Sequence, residues 1–264
     1  MTSAAKNADP DWVKTVSPLI AALRRGHYLL YAQRIEPLQP ATNERPFQEV
    51  LIRYLEEERN MLPPGSFLPV LEEQGLMALL DCWVVNQVLK LQEAALANEP
   101  GMPGPRNSIN LSETSLVDHE FPGFVISHLK QRKVGPDTLC FEVTETLATS
   151  RRAALQDLMN ALQPVDCSFA ISSFTAAHAG LSLIRNLPVS YVKIDGQLLR
   201  RLKSGIDKPE RLRGIQTICK ASGIRTIAEQ VEDSDALRMV TDLGIDYAQG
   251  FVVAEPAPFQ ADRP

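Results

Sequence analysis

Apolar and polar positions divide most of the chain into short β-rich runs, each followed by a stretch with helical spacing. The clearest unit is FAISSFTAAHAGLSLIRNLPVSYVKID, residues 169–195. The runs CSFAIS (167–172) and VSYVKID (189–195) flank a small-residue turn and a periodic segment at 179–185, the strand–helix–strand rhythm of a parallel α/β unit. Upstream, Trp12, Val16, Leu19, Ile20 and Leu23 predict a helix over 11–25 that ends at Gly26. A strand is expected over 28–38 and an alternating one over 47–54. In the second, Glu49, Leu51 and Arg53 share one face and Val50 and Ile52 the other. A turn or hairpin over 55–64 leads to a short helix at 65–75, a long one at 76–97 and a Pro/Gly-rich loop at 99–106. Strands at 108–111, 139–144, 225–228 and 247–248 then alternate with helices at 116–131, 150–162, 209–221 and 234–243. This β-then-α order predicts an α/β fold, either a parallel sheet or a closed (β/α) barrel, as one domain over 1–264.

Composition narrows the function classes. The chain has 264 residues, is 44% hydrophobic and 22% charged, and carries a net charge of −5. That balance argues against a nucleic-acid or anionic-membrane binder. Cys82, Cys140, Cys167 and Cys219 are scattered without metal spacing and read as buried apolar residues of a reducing compartment. Residues 1–12 show neither the basic nor the apolar region of a signal peptide. The most apolar stretch, 75–91, is interrupted by Asp81 and Asn86 and is short for a membrane span. A cytoplasmic location is the expectation.

Polar residues gather where the predicted strands end: Asn110, Glu142 with Glu145, Lys193 with Asp195, Glu229 with Glu232, and Gln249. Glu49 and Arg53 join them from the second strand. One acid at a strand end is usually a cap or a solvated loop residue. Several in series predict a shared polar site on the rim of a barrel.

Read in order, these residues fall into motifs: Gln33 in LYAQ, then Glu49-Val50-Leu51-Ile52-Arg53, Phe67-Leu68-Pro69, Leu80-Asp81 with Trp83, and Ile109-Asn110-Leu111-Ser112. Glu142-Val143-Thr144-Glu145, Lys193-Ile194-Asp195, Ala228-Glu229-Gln230-Val231-Glu232 and Tyr247-Ala248-Gln249-Gly250-Phe251 follow, ahead of Pro256. Over about residues 25–259 the chain resembles the EAL family, the phosphodiesterase and receptor domain of cyclic di-GMP signalling. The resemblance implies a TIM-like (β/α)8 barrel with one antiparallel strand near the N-terminus. It also implies two Mg²⁺ or Mn²⁺ ions that clamp and hydrolyse one phosphodiester. By that resemblance the metal ligands are Glu49, Asn110, Glu142 and Glu229, and Lys193 orients the attacking water. Lys193 and Glu229 are then vestigial catalytic residues, and Glu145 braces the loop after the next strand. The nucleotide falls to Gln33, Leu51, Arg53, Pro69, Asp81, Glu232, Gln249 and Gly250, together with Glu49, Asn110 and Glu142.

One stretch departs from the family pattern. Where the family has D-D-F-G-x-G, this chain has Ser172-Ser173-Phe174-Thr175-Ala176-Ala177. Both acids are replaced by neutral hydroxyls, which are poor ligands for Mg²⁺. Gln230 stands where the family has glycine, and Arg34 where it usually has proline. His178 reads as an idle loop histidine more readily than as a replacement base. The expectation is a degenerate domain that binds cyclic di-GMP without cleaving it and relays the signal to a downstream protein partner. It requires no cofactor and holds at most one weakly bound Mg²⁺ or Mn²⁺. It has no nucleic-acid partner and no membrane span, and a homodimer is left open. The alternatives are a phosphodiesterase with residual activity and an interaction module that has lost the nucleotide.

Overall fold

The computed structural model describes residues 19, 21–23, 25–39, 44–55, 60–98, 104–132, 134–175 and 178–259, with the backbone alone at 178 and 179. Most of the helix expected over 11–25 and of the loop over 99–106 lies outside the described residues, as does the His178 side chain.

Eight strands close into a ring: β1 (Tyr28–Pro37), β2 (Phe47–Leu55), β4 (Arg106–Asn110), β5 (Leu139–Thr144), β6 (Ser168–Phe174), β7 (Tyr191–Ile194), β8 (Arg225–Ala228) and β9 (Tyr247–Ala248). From β2 to β9 neighbours are parallel, and β1 joins the two ends antiparallel to both β2 and β9. This is the barrel with one antiparallel N-terminal strand. Two short strands trim it: β3 (Met61–Leu62) pairs with the end of β2, and β10 (Ala257–Pro258) with β1.

Among the described residues the helices after β1 are α1 (Pro64–Glu73), α2 (Met77–Asn98), α3 (Glu113–Val117), α4 (Phe121–Gln131), α5 (Glu145–Ser150), α6 (Arg152–Leu162), α7 (His178–Asn186), α8 (Gly196–Lys203), α9 (Pro209–Ala221) and α10 (Ser234–Asp242). The helix expected over 116–131 is two, because Asp118 turns to accept from the Glu120 N–H at 2.9 Å and Pro122 restarts the chain in α4. Helix α8 has no counterpart among the sequence expectations.

Alternation along each strand separates two cores. Outward-facing Val50, Ile109, Phe141, Val143, Phe169, Ile171, Val192 and Ile194 pack with the helices in one large buried cluster. Inward-facing Ile35, Phe47, Cys140, Ala170, Tyr191, Ile227 and Tyr247 form a second, inside the ring. Below this layer Arg106 pairs with Asp137 while its guanidinium lies 5.3 Å from the Phe47 ring and 5.4 Å from the Tyr191 ring. The floor of the barrel is therefore closed. Outside the ring, Gln48 donates to Asn107 at 2.9 Å and Asn107 to Gln92 at 2.7 Å, which ties α2 to the wall through satisfied buried amides.

Candidate functional site

Side chains two residues apart on a strand point the same way, so each inward apolar residue sets the position of the next inward one. Two steps from Phe47 is Glu49, from Cys140 Glu142, from Tyr191 Lys193, from Ile227 Glu229, from Tyr247 Gln249 and from Ala170 Ser172. On antiparallel β1, Ile35 is followed inward by Gln33 in the reverse chain direction. The apolar layer thus becomes a ring of polar groups at the C-terminal mouth.

Lys193 is the hub. Its side chain is 1% exposed, and its Nζ lies 2.7 Å from Glu49 Oε2, 2.8 Å from Glu142 Oε2 and 3.4 Å from Glu229 Oε1. Glu49 also accepts from Asn110 Nδ2 at 2.8 Å and from Gln249 Nε2 at 2.7 Å. Ser108 Oγ donates to Glu142 Oε2 at 3.0 Å, and Gln249 Nε2 to Gln33 Oε1 at 3.1 Å. Gln249 Oε1 is buried and has no partner among the described residues, so the network ends in one unused acceptor.

Three acids around one base give opposed shifts. Burial would pull the Lys193 ammonium down, but Glu142, Glu49 and Glu229 together hold its pKa well above the ordinary lysine value. Burial also pushes Glu49 up, yet Lys193 and the two amide donors outweigh it and hold Glu49 below the usual carboxylate range. Burial, with the charge of Glu49, raises Glu142 to about 7, and burial raises Glu229. For Glu142 the consequence has a definite sign. Its folded value exceeds the ordinary 4.5, so its contribution to stability is complete below about pH 4.5 and is lost as pH rises through about 7. Carbon-detected NMR of the side-chain carboxyls is expected to show one glutamate titrating near 7 that disappears in Glu142→Gln. Ordinary titration of every glutamate would contradict the placement.

A pocket of about 260 Å³ opens beside this network, lined by Gln33, Glu49, Glu229, Gln230, Glu232, Gln249, Gly250, Phe251 and Pro256. Of the residues singled out in the sequence, Gln33, Glu49, Glu229, Glu232, Gln249 and Gly250 meet there. Asn110, Glu142 and Lys193 support it from below. Leu51, Arg53, Pro69 and Asp81 are not among its lining residues. Arg53 stands over Tyr31, 5.5 Å from the ring, and donates to the Ile52 carbonyl. Asp81 is 4% exposed, and its Oδ2 accepts from Ser112 N and Oγ at 2.9 and 2.6 Å, which anchors the start of α3. Asp195 is an N-cap, accepting from Gln197 N at 2.6 Å, and Arg34 pairs with Glu36 at the surface. Glu145 Oε2 takes both the N–H and the hydroxyl of Thr175 at 2.8 Å and so fastens the loop after β6. Phe251, 64% exposed at the pocket edge, carries no sequence signal beyond its place after Gln249-Gly250.

At the tip of β6, Ser172 is buried and pairs with Thr144. Ser173 has φ of 50° and sits where the β6–β7 register shifts. This bulge inserts one residue and re-aims Phe174 into the outer core. Among the described residues no group of three or more His, Cys, Asp or Glu is arranged to hold a metal ion. No described helix is long and apolar enough to cross a membrane.

Residues 19–256 match the EAL domain family. The chain belongs to it. Relatives include the cyclic di-GMP phosphodiesterase PdeF of Escherichia coli, 32% identical over 94% of this chain and 32% of that protein. PdeB of Shewanella oneidensis, also named a cyclic di-GMP phosphodiesterase, is 30% identical over 94% of this chain and 28% of its own length. The chain therefore spans about a third of these curated relatives. Among solved structures, the FimX EAL domain of Pseudomonas aeruginosa bound to c-di-GMP superposes with a TM-score of 0.83 at 26% identity, covering 92% of this chain and 96% of that one. EAL membership accounts for the closed ring with a single reversed strand.

Proposed function

We propose that this EAL domain binds cyclic di-GMP at the mouth of the barrel without cleaving it, and that a protein partner reads its occupancy. The observation that carries the proposal is the serine pair at the tip of β6, where the family has two acids, together with a pocket that Gln33, Glu232, Gln249 and Gly250 help to line and that neither serine lines. Hydrolysis by two divalent ions needs anionic oxygen donors on both. Neutral Ser172 and Ser173 supply none. The residues present do not fit a pair of divalent ions. The family likeness to the c-di-GMP complex of FimX supports the choice of ligand.

The chain's own residues divide the work. Gln33 is held by Gln249 and by the Ala254 carbonyl at 2.9 Å, so its amide is pre-positioned on the pocket wall. Glu232 offers an exposed carboxylate to donors on a base edge. Lys193, locked among acids, fixes the positions of Glu49 and Glu142. Isothermal titration of cyclic di-GMP with EDTA present is expected to give saturable heat with Kd in roughly the micromolar range. A blank at saturating nucleotide would overturn the proposal. Retention of Glu49, Asn110, Glu142, Glu229 and Lys193 favours residual phosphodiesterase activity as the second reading.

A further inference from the structure

Gln230 holds the left-handed conformation, with φ of 53°, which L side chains adopt at a cost. Its side chain lies flat on the first turn of α8. A Cβ on Gly196 would come within 2.6 to 2.9 Å of Gln230 Oε1, Cβ and Cδ. From the same helix Arg200 Nη1 donates to Gln230 Oε1 at 2.9 Å. The other end of the segment is fixed as well: Val231 N donates to the Gln249 carbonyl at 2.9 Å and Lys203 Nζ to Asp233 Oδ2 at 2.5 Å. A strained backbone, a glycine beneath it and an arginine across it all serve one exposed amide on the wall of the candidate pocket.

Arginine has donors only, so the atom facing Arg200 must be the amide oxygen. The orientation of the amide is thereby decided. Its Nε2, with two N–H groups, has no hydrogen-bond partner among the described residues, and Gln230 lines the same pocket as Glu229, Glu232 and Phe251. We propose that Gln230, oriented by Arg200, is a ligand-reading donor of this pocket, giving a hydrogen bond from Nε2 to an oxygen of the bound nucleotide. Arg200 is a positioning residue that acts through Gln230. The inference rests on cyclic di-GMP being the ligand.

The oxygen belongs either to a phosphate or to the O6 of guanine. The test is isothermal titration in EDTA of wild type, Gln230→Ala, Gln230→Glu, Arg200→Ala and Arg200→Lys with cyclic di-GMP, and with cyclic di-AMP as the second arm. Gln230→Glu keeps an oxygen for Arg200 but removes both N–H donors, so it and Gln230→Ala are expected to weaken binding at least ~10-fold. Arg200→Ala frees the amide and is expected to cost a smaller factor, which Arg200→Lys restores. Melting temperatures of the Gln230 variants are expected to stay at the wild-type value. Equal losses for both nucleotides assign the oxygen to phosphate, and a loss confined to cyclic di-GMP assigns it to O6. Both outcomes support the inference. Wild-type affinity in both Gln230 variants overturns it and leaves the ligand reading standing, as does a loss of affinity that merely follows a loss of folded protein. No heat with wild-type protein overturns the ligand reading and this inference together.

Discussion

Returning both acids to the tip of β6, as Ser172→Asp with Ser173→Asp, is expected to tighten Mn²⁺ binding by at least ~100-fold and to create metal-dependent cleavage of cyclic di-GMP. The factor is set above the ~10–100-fold that outer-shell partners of metal sites control, because these positions would contact the ion itself. The backbone is ready for the change. Ser173 already sits at φ of 50°, where aspartate is more comfortable than serine, and Ser172 follows Ala170 into the mouth. Glu49, Glu142 and Glu229 gather on Lys193, with Asn110 on Glu49, at the same end of the barrel. Titration with Mn²⁺ and chromatography of the nucleotide measure the two effects separately. If the double variant binds Mn²⁺ no better than wild type, the serines are not what separates this domain from a two-ion centre.

The second large effect concerns Lys193. Replacing it with methionine leaves Glu49, Glu142 and Glu229 buried around an apolar side chain. Removing one partner of a buried ion pair costs about 3–5 kcal/mol. At ~2–4 °C per kcal/mol for a large domain, the melting temperature at pH 7 should fall by roughly 6–20 °C. The deficit should shrink in acid. Burial raises these carboxyls and the ammonium opposes it, so its loss favours their protonated forms, and the destabilisation is expected to be small in acid and to grow as pH rises. Melting curves of Lys193→Met at pH 5 and pH 7 test the sign. A variant that melts with wild type at both values would show that the three carboxylates do not depend on this cation.

Much of the barrel was legible because each of its strands carries its own evidence. Residues 139–144, 225–228 and 247–248 are apolar runs bounded by turns, and they became β5, β8 and β9 with the expected limits. Closure of the ring is not a local property. Periodicity alone left an open sheet as an equal candidate, and the likeness to a family favoured the barrel. Helix α8 escaped because Asp195, read as a rim acid, is the cap that starts it, and Gly196 at its head reads as a turn. The residues of the mouth were legible as types, since acids and amides end successive apolar runs. Their partners were not. Nothing in the sequence distinguishes an Asp81 that faces a base from one that holds Ser112, or an Arg53 paired with Glu49 from one laid on Tyr31. Those choices depend on which helix lies against which strand end. The left-handed backbone at Gln230 is likewise invisible in composition, and it became meaningful only with Gly196 found beneath it.

The proposed function requires that the nucleotide is held and left whole. It is tested most directly by incubating pure protein with cyclic di-GMP and Mn²⁺ well past many turnovers of an active phosphodiesterase, then separating bound from free nucleotide and analysing both by chromatography. The expected result is a bound fraction made up of intact cyclic di-GMP, with no linear dinucleotide beyond the protein-free control. Linear product accumulating in excess of the protein would contradict it.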